Sequence, residues 1–163
     1  MDILGPYTPV SGQRWYVLVV VDYFMKWVEA EVVRGIKWRD VSAFIWKNII
    51  TRFGVPPSIV FDNGPQFETD HLRDWLNDQG IVHCFASVGR QKANGQVEAY
   101  NKLISNGIKL KLEKAGGLWA DELVNVLWSI RTTTKSSTRE TPFFWSMVLR
   151  PYSQLKCMNP LYE

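Results

Sequence analysis

The run Trp15–Asp22, Trp-Tyr-Val-Leu-Val-Val-Val-Asp, constrains the fold of this chain more than any other segment. It is apolar without a break up to Asp22 and dominated by β-branched residues, as expected of a strand buried on both faces. Such a strand needs packing above and below it, which means a sheet covered by helices. Trp27–Val33 reads as its hairpin partner, with Tyr23–Lys26 as the connection. Apolar residues then fall at Val41, Phe44, Ile45, Ile49 and Phe53, which predicts a helix over 37–53 stopped by Gly54 and Pro56-Pro57. Ser58–Phe61 predicts a short buried strand, ending in the turn sequence Asp62-Asn63-Gly64-Pro65.

The alternation continues downstream. Thr69–Gln79 predicts a helix with Leu72, Trp75 and Leu76 on one face, and Ile81–Phe85 another short strand. Residues 86–92 carry no periodicity and read as a loop. A long helix opens at Asn94 or Gly95 and runs to about Leu112, with Val97, Ile104, Ile108 and Leu112 at helical intervals. Glu98, Lys102, Ser105 and Lys109 form a separate polar face on it. A last core helix, Leu118–Thr132, places Trp119, Leu123, Leu127 and Ile130 on one stripe. Trp46, Trp75, Trp119 and Trp128 are expected in the core. A polar linker follows to Thr141, and residues 145–163 are expected to form an irregular tail. With 163 residues the chain suits one α/β domain.

Several functional classes drop out. The longest apolar run, Trp15–Val21, falls far short of the ~20 residues of a membrane helix. No secretory signal is readable at the N-terminus, so an intracellular protein with no membrane partner is expected. Cys84, Cys157, His71 and His83 lack metal-ligand spacing. A net charge of +3 permits an anionic partner without demanding one. What remains is chemistry by carboxylates. Asp62 sits at the C-terminal end of a strand, where α/β sheets present ligands. Asp2 adjoins the strand-like Ile3-Leu4, and Glu98 lies early in the long helix. Such a set offers hard oxygen donors for Mg²⁺, and two metals could clamp the attacking and leaving oxygens of a phosphodiester. By spacing alone these three do not stand out among 16 acidic residues, most of which are solvated surface groups.

Five segments, read together, carry a resemblance. They are MDILGP at 1–6, VVVDYFMKWVEAE at 19–31, FGVPPSIVFDNGPQF at 53–67, ANGQVEAYNK at 93–102 and LWADELVNVLWSIRTTTKSSTRETPF at 118–143. In that order they resemble the integrase catalytic core of gypsy-class LTR retrotransposons, close to plant versions and akin to retroviral integrases. The resemblance covers residues 1–144. It implies a ribonuclease-H-like α/β fold, a five-stranded mixed sheet flanked by helices. It implies DNA integration by a metal-dependent polynucleotidyl transferase, which processes the 3′ ends of element DNA and joins them to target DNA. The family's triad is two aspartates and a glutamate 35 residues beyond the second. Here Asp62 and Glu98 enclose 35 residues, and Asp2 supplies the first member. Asp2, Asp62 and Glu98 are then both the catalytic residues and the ligands of two Mg²⁺ or Mn²⁺ ions.

The same resemblance assigns neighbouring residues. Asn63, Gly64 and Asn101 would be structural at the site, although Asn63 is equally a turn former. Gln96, Lys102, Arg90 and Lys92 would contact nucleic acid; Lys102 could instead pair with Glu98 one turn away. Asp22 matches as a structural position after a strand. Partners would be DNA, as element ends and target, and a second copy of the chain. The dimer would form through helices 37–53 and 118–132, with Trp46 and Trp128 covering each other. Action in the nucleus is implied by the family alone. Two departures favour an alternative, a catalytically impaired remnant that keeps the fold and a nucleic-acid-binding or dimerising surface. The first strand is expected to lack its leading half, with the Met1 ammonium competing for Asp2. The loop before the glutamate reads Gly89-Arg90-Gln91-Lys92, where plant relatives have a His-Pro pair.

Overall fold

The computed structural model describes residues 1–9, 13–85 and 94–148, and the side chains of the last stretch from residue 102 onward. Strands β1 (Asp2–Leu4), β2 (Tyr16–Val21) and β3 (Val28–Val33) form an antiparallel sheet in that order. Its register pairs Asp2 with Val19 and Val19 with Ala30. Strands β4 (Ser58–Phe61) and β5 (Val82–Phe85) pair in parallel, Phe61 opposite Phe85. One residue joins the two sheets. The Met1 amine donates to the Val60 carbonyl, and the Asp62 N–H donates to the Met1 carbonyl at 3.1 Å. That is the bond pair of a parallel bridge between Met1 and Phe61. Met1 thus sets the two sheets side by side in the order β3-β2-β1-β4-β5; the five-stranded mixed sheet implied by the resemblance is present as five strands in two sheets, one antiparallel and one parallel.

Each face of the sheet carries a helical layer. On one side Met1, Leu18, Ile59 and Phe61 pack with Val41, Phe44 and Ile45 of α1 (Trp38–Ile45) and with Leu72 and Leu76 of α3 (Asp70–Asp78). On the other, Leu4, Val17, Val19 and Val28 pack with Ile104, Ile108 and Leu112 of α4 (Asn94–Ala115). Trp119, Leu123, Val126 and Leu127 of α5 (Trp119–Thr132) complete that layer. Val17 and Leu18, adjacent on β2, are both fully buried but in different layers. This is why the β2 run had to be apolar throughout.

The helix expected over 37–53 is not uniform. α1 passes into a π-helical stretch, Trp46–Ile50, and then into the single turn α2 (Thr51–Phe53). Gly54 ends it at φ 88°, a value that favours glycine. Within the stretch Lys47 holds Glu31 of β3 at 2.8 Å, and Asn48 holds its second oxygen. Thr69 caps α3 by accepting the Leu72 N–H. Asp22 turns the β2–β3 hairpin by accepting the Met25 N–H at 2.6 Å, the structural part expected of it.

A buried ionic knot ties α5 to β3. Glu29, 4% exposed, lies between Arg131 at 2.9 Å and Arg52 at 2.7 Å, and accepts the Trp27 indole N–H at 2.7 Å. Arg131 also donates to the Val28 carbonyl and stacks over the Trp27 ring.

Two expectations need correction. Trp119 is a core residue and Trp75 packs against the core, but Trp46 and Trp128 are 51% and 64% exposed. Their helices turn a second apolar stripe outward. The tail expected to be irregular from residue 145 is helical over 142–148. Pro142 occupies the first helical turn, where its missing N–H costs nothing, and Thr141 accepts the Phe144 N–H at 3.1 Å. Residues 149–163, with Cys157, lie outside the described residues, as does the 86–93 stretch.

Candidate functional site

The bridge at Met1 fixes what stands beside it. With Met1 opposite Phe61, the next pair in register is Asp2 and Asp62. Met1 and Phe61 turn into the α1–α3 layer, so by alternation Asp2 and Asp62 leave the sheet on the face that carries α4 and α5. Asp2 is half-buried and accepts the Ile3 N–H at 2.8 Å; Asp62 is exposed and accepts the Asn63 N–H at 2.9 Å. Among the described residues neither is in an ion pair with a lysine or arginine side chain. Two carboxylates with free oxygen atoms on adjacent strands are a donor set that fits a hard divalent cation and repel each other without one.

The Met1 amine does not sit on Asp2 as expected. It is tied to the Val60 carbonyl, and burial pushes its pKa down to about 6 against the opposing pull of Asp2 and, more weakly, Asp62.

The remaining site residues are placed unevenly. Asn63 is exposed in the turn after β4. Gly64 has an ordinary backbone conformation, and the Gln66 carboxamide folds back over it; a Cβ there would displace only that flexible amide. Lys102 is exposed on α4. Glu98, Gln96 and Asn101 belong to the backbone of α4, but their side chains lie outside the described residues, and Arg90 and Lys92 lie outside them altogether. Among the described residues no three of His, Cys, Asp and Glu form a metal cluster. His71 stacks on Trp38, and His83 lies edge-on between Phe61 and Phe85. Neither approaches metal-ligand duty. Among the described residues no helix is long and apolar enough to cross a membrane.

A family model, Integrase core domain, matches residues 1–91, more than half of the chain. The chain belongs to the integrase core domain family. Relatives of this core include the Gag-Pol polyprotein of avian reticuloendotheliosis virus, 38% identical over 137 residues, and that of koala retrovirus, 34% identical over 134. The matches cover 82% and 78% of the core, which spans only 12% and 8% of those polyproteins. Solved structures agree on an integrase-core, ribonuclease-H-like fold. A chain of the simian T-cell lymphotropic virus intasome, in complex with a PP2A regulatory subunit, gives a TM-score of 0.67 at 20% identity, covering 99% of this core and 55% of that chain. The HTLV-2 integrase catalytic core domain, in complex with magnesium in a trimeric form, gives 0.60 at 21%, covering 88% and 90%.

Proposed function

We propose that this core is a metal-dependent polynucleotidyl transferase of DNA integration, from a gypsy-class LTR retrotransposon, acting in the nucleus. The observation that carries the reading is the register pairing of Asp2 with Asp62 on the α4 face of the sheet. Glu98 belongs to α4, the helix that packs on this face, and completes the triad in sequence spacing. Asp2, Asp62 and Glu98 would hold Mg²⁺ or Mn²⁺, which supplies activation of a water or a DNA 3′-hydroxyl and stabilises the leaving oxygen. The chain's own part is to keep the carboxylates ionised and in register and to position the phosphodiester. Gln96, Lys102, Arg90 and Lys92 would hold DNA phosphates, and Asn63, Gly64 and Asn101 would shape the surroundings.

The direct test is a Mn²⁺-dependent disintegration assay on a branched DNA substrate. The parent chain should cleave and rejoin it, and Asp62→Asn should abolish this without lowering the melting temperature. A folded parent with no activity would support the second reading, a remnant that keeps the fold without efficient catalysis.

A further inference from the structure

At the turn from β3 into α1 the chain concentrates positive charge. Arg34, Lys37 and Arg39 are all exposed, and none forms an ion pair among the described residues. One carboxylate stands among them: Asp40 accepts the Lys37 N–H at 3.0 Å. On α3, Asp70 pairs with Arg73 at 2.8 Å. Three unpaired cations within six residues repel one another, an arrangement that gains from an anionic partner with repeated charges.

Aromatic rings are interleaved with these cations. The Trp15 N–H donates to the Val33 carbonyl at 3.1 Å, which holds Trp15 beside Arg34, and the ring is 40% exposed. Trp38 carries the Arg39 guanidinium at 5.3 Å from its centroid, and its ring stacks with His71 at 5.5 Å. Trp38 itself is half-buried against the core, so the exposed ring beside these cations is Trp15. Guanidinium and ammonium groups beside an exposed ring are a surface that a single nucleic-acid strand fits. Phosphates meet the charges, and an unpaired base can lie on a ring.

The topology gives this strip a relation to the carboxylates. β1 and β4 run the same way and β2 the opposite way, so the end of β4, the start of β2 and the end of β3 share one end of the sheet. Asp62 and the strip are therefore at the same end. Arg34, at the end of β3, lies three strand spacings from Asp62 sideways and about four residues along the strands, roughly 20 Å. Lys37 and Arg39 open α1, whose layer covers the opposite face of the sheet from Asp2 and Asp62, so a strand held at Asp62 reaches them by passing around this end of the sheet.

We infer that Arg34, Lys37 and Arg39, with Trp15 as a stacking platform, form a second nucleic-acid-binding surface that holds an unpaired stretch of DNA at a distance from the carboxylates. The choice of DNA over another polyanion rests on the integrase reading. The binding itself requires neither metal nor catalysis.

The test is therefore run in EDTA. Fluorescence anisotropy with a labelled single-stranded oligonucleotide is followed across a salt series for the full chain. For the triple variant Arg34→Gln, Lys37→Gln, Arg39→Gln, the slope of log K against log salt should fall by about 2, since each lost phosphate contact removes ~0.7 on a single strand. Trp15→Ala should weaken single-strand binding several-fold, leave the slope unchanged, and affect duplex binding less. A control triple on α4, Lys109→Gln, Lys111→Gln, Lys114→Gln, removes the same charge elsewhere. An equal loss in that control would overturn the proposal by reducing it to net charge. A parent that does not bind, or competition by polyglutamate as strong as by DNA, would overturn it too. Metal-dependent cleavage reports separately on Asp2 and Asp62, so failure there leaves this result standing.

Discussion

His83 is the described side chain whose chemistry sits least comfortably in its surroundings. Its ring is wedged between Phe61 and Phe85, and its Nε2 is buried without a hydrogen-bond partner. Burial, helped by Arg73, lowers its pKa below the usual 6.5. The folded state thus binds a proton less readily than the unfolded chain. The stability owed to this residue is intact above pH 6.5 and is lost as pH falls through the lowered value. Urea melts from pH 8 to pH 5 should show a decline below 6.5 that His83→Phe removes. The Met1 amine, shifted from 8.0 to about 6, drives a separate decline at higher pH that the variant should retain. A curve of the same shape in both proteins would refute the assignment.

At the scale of elements, the knot around Glu29 decides how α5 is held. Arg131→Met would remove one of two guanidinium partners from a buried carboxylate and leave the Val28 carbonyl unpaired. Breaking such a pair costs about 3 kcal/mol or more, equivalent to a fall of roughly 6–12 °C in melting temperature for a chain of this size. A shift of a degree or less would mean the knot is solvated in practice. No periodicity could have revealed it, because Glu29 and Arg131 are 102 residues apart. The strands, by contrast, were legible because β-branched runs and breakers are local. The register partner of Asp2 was not legible in spacing; only the family resemblance brought Asp2 and Asp62 together, because Asp2 opens β1 while Asp62 follows β4. The helix at 142–148 was missed because Pro142 reads as a breaker, while its position after Thr141 makes it an initiator. The side of a helix that faces water was also illegible. A stripe that fills a core and one that awaits a partner have the same hydropathy.

That second kind of stripe matters for the whole molecule. Trp46 from the π-helical stretch and Trp128 and Val124 from α5 are exposed by 51%, 64% and 70%. We expect these helices to form a homodimer interface. Sedimentation velocity over a concentration series should show dimer, and Trp128→Glu should shift it to monomer with an unchanged melting temperature. A parent that stays monomeric throughout would remove this interface from consideration. Whatever the assembly, the join between β1 and β4 governs the carboxylates that straddle it. Along the described chain that seam has a single rung of backbone bonds, at Met1, and otherwise relies on the packing of Met1, Ile59 and Phe61. Backbone bonds resist sliding because they are directional, whereas dispersion contacts resist separation but permit slip. In mechanical terms the seam is a bearing, stiff in compression and compliant in shear. Heating should let Asp2 and Asp62 drift out of alignment before the sheet comes apart, so activity would fade below the melting temperature.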